Sequence, residues 1–243
     1  MTAYVHRTPD STFTGEKYTY SGWFKRGDLS ARNNIIWGSS DGGSADFTEI
    51  EFQASGALHW GNKPNGGTNM QLITNRLFRD PAAWYHLVFA WDTTAAAADR
   101  ARIYVNGVEE TSFATDNNAG SGETGCSLAT SGDEVDIGKQ HGVTHYYYGE
   151  MSHLNLCMGT AYGPTDFGEF DSTSGIWKIN PSPSVTHGTN GWQLKMEDRT
   201  NLDLDTSVNA YTFTTSGTLT ATYDNPSNNF CTMNSLEYMG GSS

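Results

Sequence analysis

Basic residues are scarce in this chain: 14 Lys and Arg stand against 27 Asp and Glu, for a formal net charge of −13. Phosphate backbones are gripped by clustered cations, so a duplex nucleic-acid partner is excluded. Anionic membrane surfaces are disfavoured for the same reason. Charge of either sign is thin, 17% of residues against ~25% in ordinary globular chains. Cysteine is rare as well. Cys126, Cys157 and Cys231 cannot all pair within one chain, which argues against a disulfide framework and for folding in a reducing cytoplasm. One bridge plus a free thiol is the alternative. No apolar run approaches the ~20 residues that span a bilayer; the longest, residues 82–91, contains His86. The opening MTAYVHRTPDS has neither a basic head nor an apolar stretch, so no signal peptide and a soluble protein are expected. Helix-forming runs are nearly absent. The one candidate, AAAADRAR at 95–102, lies between two strong strands and reads as a loop.

What the chain does have is aromatic area and turn residues: 12 Tyr, 11 Phe, 7 Trp and 27 Gly. Residues 17–26 (KYTYSGWFKR) alternate as a strand, with Tyr18, Tyr20, Gly22 and Phe24 on one face. Short strands are expected at 34–37, 47–53, 57–60 and 71–74, separated by Gly, Ser and Asp turns. Residues 100–105 run into Asn106-Gly107, a type I′ hairpin signal, with 108–113 as the return strand. Residues 116–132 read as a long polar loop, and 134–137 and 146–158 as further strands. GPTDFGEF at 163–170 reads as a capped helical turn with Thr165 as N-cap. Beyond residue 179 the composition shifts to a linker-like NPSPSVTHGTN, then to strands at 192–196 and 211–223. Ten or more short strands with almost no helix imply a β-sandwich or barrel.

WYHLVFAWDTT, residues 84–94, is apolar on both faces: Tyr85, Leu87, Phe89 and Trp91 on one, Trp84, His86, Val88 and Ala90 on the other. In a two-sheet sandwich only one face of a central strand meets the opposite sheet. The second must be covered by a loop, a ligand or a neighbouring molecule. A homo-oligomer, with a trimer favoured, would supply that cover.

YSGWFKRG, then WYHLVFAWD with RIYVNG, then VDIGK and YYYGEMSHLNLCMGTAY stand in that order between residues 18 and 170. The series resembles laminin G-like, concanavalin A-like jelly-roll domains, with their W-x-H strand, Y-V-[ND]-G hairpin, IG turn and G-x-[IM] strand. The resemblance implies an all-β, two-sheet antiparallel jelly-roll sandwich of six or seven strands per sheet with minimal helix, its concave sheet presenting ligand residues. The expected organisation is a sandwich over 1–179. C-terminal strands over 180–243 then pack on or complete it, with a flexible end at 239–243. GIWKIN, GTNGWQLKMED and DNPSNNFCTMNSL are similar to the closing region of laminin G-like structural proteins of tailed, especially marine, phages. Trp192, Met196, Cys231 and Met233 depart from that pattern while keeping its size and polarity. This resemblance implies a non-enzymatic virion protein assembled in the host cytoplasm. Such a protein is a head decoration or cement protein or a tail-fibre component, with capsid or tail proteins as partners.

Three chemistries have candidate residues. Lichenase- and laminarinase-type glucanases share the jelly roll and carry E-x-D-x-E or E-x-D-x-x-E on one strand, alternate residues facing one way. Their retaining mechanism needs two carboxyls ~5 Å apart. Here Glu134 and Asp136 are present, but Gly138 or Lys139 holds the third position. The proton donor is missing, so no hydrolase is expected. Laminin G-like domains often hold a calcium ion at the sandwich rim, and Asp41, Asp46 and Asp133, with Asp92 and Asp99, sit in plausible loops. Solvated turn residues are the alternative. His141 and His145 could form a metal pair or be plain loop residues. No other cofactor is expected. For carbohydrate, Trp37, His59, Trp60, Tyr146, Tyr147 and Tyr148 are rings near turns on which a host-surface glycan could stack. The alternative is that they fill the core or an interface. A soluble lectin-like module is therefore the second functional expectation.

Overall fold

The computed structural model describes residues 3–39, 46–63 and 70–227. Two antiparallel sheets dominate it. The larger has eight strands: β1 (Tyr4–Arg7), β3 (Asn33–Ser39), β4 (Phe47–Phe52), β5 (Ala57–Lys63), β6 (Met70–Leu77), β10 (Phe113–Asn117), β11 (Val135–Ile137) and β16 (Thr214–Ser216). Their spatial order is β10-β6-β5-β4-β3-β11-β1-β16. The smaller has six: β2 (Lys17–Arg26), β7 (Tyr85–Asp92), β8 (Ala101–Val105), β9 (Val108–Glu109), β12 (Gly149–Met158) and β15 (Trp192–Leu194). They run β15-β12-β2-β7-β8-β9. A separate hairpin pairs β13 (Gly168–Phe170) with β14 (Trp177–Ile179). Among the described residues, helical structure is confined to short 3-10 turns at Ala97–Asp99, Ser127–Ala129 and Pro164–Asp166. The fold is the expected all-β jelly-roll sandwich.

Between the sheets lies an aromatic core. Tyr18, Tyr20 and Phe24 of β2 and Leu87, Phe89 and Trp91 of β7 pack against Trp60, Ile50, Phe52 and Leu72 of the larger sheet. Alternation delivers these side chains inward wherever the register is regular. At the bulge between Asn34 and Ile36 the alternation slips, so Ile35 and Ile36 are both fully buried in the core. Strands β15 and β16 each add an edge, β15 beside β12 and β16 beside β1. The segment beyond residue 179 thus contributes a strand to both sheets.

The second face of β7 is covered from within the chain. Val88 packs with Cys157 and Phe167, with Tyr104, Tyr162 and Val185 around them. Trp84 packs with Trp23 and Trp177. The 3-10 turn and the β13–β14 hairpin are therefore a lid on the outer face of the six-stranded sheet. The physical reason for expecting companion subunits over this face is removed: the chain hides it unaided.

Several local expectations need correcting. The return strand expected over 108–113 breaks after two residues, and a new strand, β10, crosses to the other sheet. The 116–132 loop is not simply polar: Cys126, Leu128 and Ala129 enter the core. In the 163–170 turn, Asp166 Oδ2 accepts from the Gly163 amide at 2.9 Å, so the cap is Gly163 with Asp166 rather than Thr165. Only Thr214–Ser216 of the expected 211–223 strand is paired. Cys126 and Cys157 are free and buried; Cys231 and the 239–243 end lie outside the described residues. Among the described residues no helix is long and apolar enough to cross a membrane.

Candidate functional site

A row of polar side chains crosses the outer face of the eight-stranded sheet. Cross-strand register aligns His6, Asp136, Trp37, Glu49, Gly61 and Gln71 from β1 to β6. The bulge in β3 keeps Asn34 and Trp37 on this same face. Trp37 stacks on Phe47, centroids 5.8 Å apart and 6° from parallel. In the middle of the sheet Glu49 and Glu51 lie side by side on β4. Glu51 receives both Arg32 Nε, at 2.8 Å to Oε2, and Arg32 Nη2. His59 Nδ1 lies 3.3 Å from its Oε1. Burial alone would raise the Glu51 carboxyl, but the His59 and Arg32 hydrogen bonds outweigh it and hold the group low. Glu49 goes the other way: burial and the neighbouring Glu51 push it up to about 7. Its Oε1 accepts from Asn34 Nδ2 at 3.1 Å.

One raised and one lowered carboxyl two residues apart on a strand face resemble an acid–nucleophile pair. The geometry argues otherwise. Both Glu51 oxygens are taken by Arg32 and His59, and the side chain has no exposed surface. A nucleophile needs a free oxygen facing substrate. The Glu134–Asp136 pair at β11 also lacks a third carboxylate, since Gly138 turns the chain away at φ 86°.

At the β1–β11 end of the same face, His6 Nδ1 sits 2.8 Å from Glu134 Oε2. His141 Nδ1 sits 3.5 Å from Glu134 Oε1 and 3.3 Å from Asp136 Oδ2. Lys139 bridges to Tyr146, and the Gln140 amide donates to His145 O at 2.9 Å, so residues 139–146 form a tight hairpin. That hairpin folds His141 back over the two carboxylates.

A cavity of about 1030 Å³ opens where the sandwich edge meets the chain beyond β16. Tyr4, Trp84, Tyr148 and Tyr223 line it, together with Lys25 and Asp224. Asp224 fastens the last described segment: it pairs with Lys25 and accepts from Trp84 Nε1 at 3.0 Å. Arg199 lies over the Tyr223 ring, 4.2 Å from its centroid, and donates to Thr222 O at 3.0 Å. Glu150, also on the wall, is raised by burial and by Asp224.

The rings singled out in the sequence go to four different places. Tyr148 lines the cavity, and Tyr146 packs against another wall residue, Tyr4, with centroids 6.4 Å apart. Trp37 and His59 lie on the outer sheet face, both largely buried. Trp60 is a core residue with no exposed surface, packed edge-on to Phe89 and Trp91. Alternation turns it inward, so it has no face for a ligand. Tyr147 is buried too, its hydroxyl donating to Lys25 O at 3.0 Å. Among the acidic candidates, Asp41 lies outside the described residues, and Asp46 and Asp133 are half-buried beside strand ends. Asp92 pairs with Lys17 at 2.9 Å and Asp99 with Arg102 at 2.7 Å. His145 bonds Gln140 Oε1 at 2.8 Å. The groups of described residues whose donors converge are instead His6, Glu134 and Asp136, and Glu49, Glu51 and His59. His6 and Glu49 were missed because the pairing of β1 with β11, and of β3 with β4, is not visible in local sequence.

The sequence signature of the concanavalin A-like lectin/glucanases superfamily matches residues 2–157. The chain belongs to that superfamily. No curated protein matches it in sequence. A putative carbohydrate binding protein from Bacteroides ovatus superposes with TM-score 0.58 at 17% identity, covering 93% of this chain and 61% of that one. The likeness in fold therefore extends over most of this chain, while the chain spans less than two thirds of the Bacteroides protein. The SAP-like pentraxin of Limulus polyphemus gives TM-score 0.45 at 19% identity, over 64% of this chain and 70% of that one.

Proposed function

We propose that this superfamily member is a non-catalytic carbohydrate-binding module that seats its glycan in the cavity beside β1 and β12. One observation carries the reading: Tyr4, Trp84, Tyr148 and Tyr223 share a single cavity with the Lys25–Asp224 pair. Sugar C–H faces stack on such rings while charged and amide groups bond the hydroxyls. The superfamily membership and the likeness to a putative carbohydrate binding protein support it. The occupied oxygens of Glu51 and the missing third carboxylate beside Glu134 and Asp136 support binding without turnover. The test is a glycan panel followed by calorimetry on native protein and on Tyr148→Ala and Tyr223→Ala. Both variants should lose on the order of tenfold in affinity, about 1.4 kcal/mol, while keeping the native unfolding midpoint. Absence of any glycan ligand at millimolar concentration, or release of reducing ends from the bound sugar, refutes the reading.

A finer placement is favoured by one specific feature. The closing motifs GTNGWQLKMED and DNPSNNFCTMNSL resemble those of tailed-phage virion proteins, and that resemblance supports a place for the module on the outside of a particle as a decoration or tail-fibre component. There it would serve adsorption to host glycans. Copies would meet capsid, tail or one another through surfaces other than the outer face of β7, which is already covered. Antibody labelling of intact particles in electron micrographs decides this: label on head or tail supports it, and unlabelled particles overturn it.

A further inference from the structure

His6, Glu134, Asp136 and His141 form a donor set that the glycan cavity does not use. His6 and Asp136 are direct cross-strand partners on β1 and β11. Glu134 stands two residues before Asp136 and so faces the same way. One donor atom each from His6, Glu134 and Asp136 lies within 4.8 Å of the other two, and His141 Nδ1 lies 3.3–3.5 Å from both carboxylates. A second observation points to a missing ligand. Asp136 has no exposed surface, yet its Oδ1 has no hydrogen-bond partner. A buried carboxylate oxygen left unpaired is costly and rare. The orientation of His6 is also set from behind, since Ser216 Oγ lies 3.4 Å from its Nε2. Such outer partners fix the tautomer and direction of metal-binding imidazoles. Lys139, the nearby cation, stands over the Tyr4 ring at 4.3 Å; it acts on Asp136 through space but makes no direct ion pair with either carboxylate.

We propose that these four side chains bind one divalent transition-metal ion of the zinc class. Two imidazoles with two carboxylates suit Zn²⁺ or Co²⁺, at ~2.0–2.2 Å per bond, whereas Ca²⁺ takes oxygen donors alone. The ion draws His6, Glu134 and His141, which are exposed or half-exposed, toward the buried Asp136 by small side-chain rotations. It ties β1, β11 and the 139–146 hairpin together beside Tyr4 and Tyr146, and so braces one wall of the cavity. Binding does not depend on a glycan, and the site stands or falls separately from the cavity.

The test uses the full chain, stripped with chelator and then titrated with Zn²⁺, Co²⁺ or Ca²⁺ by calorimetry, with Co²⁺ also followed by visible d–d absorption. One Zn²⁺ or Co²⁺ per chain is expected, with a rise in the unfolding midpoint, and no comparable response to Ca²⁺. His6→Gln and His141→Gln should each weaken binding on the order of tenfold or more; His145→Gln should leave it unchanged. His141 is 45% exposed, so its substitution tests the site even where Asp136→Asn fails to fold. No stoichiometric binding, Ca²⁺ binding as tight as Zn²⁺, or Zn²⁺ affinity undiminished in His6→Gln and His141→Gln overturns the proposal.

Discussion

The indole Nε1–H of Trp177 donates to Nδ1 of His86 at 3.1 Å. That bond fixes the ring proton on Nε2, which lies 3.0 Å from Ser21 Oγ. Both ring nitrogens of a fully buried histidine are thereby satisfied, one by the lid hairpin and one by the neighbouring strand. His86 is the single polar interruption in the apolar stretch 84–91, and it lies on the face the lid covers. Its role is to seat the β13–β14 hairpin on the sheet.

Acid should loosen this arrangement. Burial pushes the His86 pKa down to about 3, against ~6.5 in an unfolded chain, and no charged group faces the ring from Ser21, Trp23, Phe167 or Trp177. Between these pH values the unfolded chain binds a proton that the folded one refuses, so stability is full above about 6.5 and falls as the pH drops. The loss attributable to this residue is about 2 kcal/mol by pH 5. Urea midpoints at pH 7, 6 and 5 should fall more steeply for the native chain than for His86→Gln. Parallel slopes contradict the assignment.

Removing the cover separates internal burial from burial by partners. Trp177 packs on Trp23 and Trp84 and meets Phe170 edge-on at 4.9 Å. Trp177→Ala should cost about 3–5 kcal/mol and open an apolar patch around Trp23 and His86. Light scattering at micromolar concentration should then show association by the variant beyond that of the native protein. A native oligomer that Trp177→Ala dissociates would reverse this conclusion.

Glu49 has the opposite pH sign. Its carboxyl is raised to about 7 by burial and by Glu51, opposed by His59, Arg32 and Asn34. The folded chain therefore holds a proton that the unfolded chain has released, and stability is full below the ordinary value near 4.5 and declines as the pH climbs toward 7. The native chain loses about 3 kcal/mol over that window through this group. Glu49→Gln, which keeps the Asn34 contact, should be more stable than native at pH 7 and no more stable at pH 4. Equal stability at pH 7 counts against the shifted carboxyl.

The sandwich was legible because its signals are local. Alternation in 17–26 marked β2 to the residue, and Asn106-Gly107 marked a turn whose residues adopt φ 48° and 81°. The doubly apolar face of β7 was visible too, but not its cover. Phe167 and Trp177 lie about 80 and 91 residues downstream of the β7 residues they cover, in turn-rich sequence, and nothing local shows that they return. The candidate sites were less legible for the same reason. The cavity joins Tyr4, Trp84, Tyr148 and Tyr223 from four separate regions, and of these only Tyr148 stood out. His6 meets Glu134 only through the pairing of β1 with β11. Trp60 sits next to His59 in sequence, and only the side each strand residue faces separates the core ring from the imidazole on the outer sheet face.

Gly107 supplies a last check on how the lid is seated. It holds φ 81° in the β8–β9 turn, where a Cβ would overlap the Trp177 ring. The same turn is pinned to β7: Asn106 Oδ1 accepts from the His86 amide at 2.7 Å, and the Asn106 amide donates to His86 O at 2.9 Å. Gly107→Ala therefore meets two costs, about 1 kcal/mol for the left-handed backbone and a further 1–2 kcal/mol, roughly, from displacing the indole. Only the second depends on Trp177. In a double-mutant cycle with Trp177→Ala, the Gly107→Ala penalty should shrink by about 1 kcal/mol or more, leaving the backbone share. A penalty that is the same in both backgrounds means the hairpin does not rest on this turn.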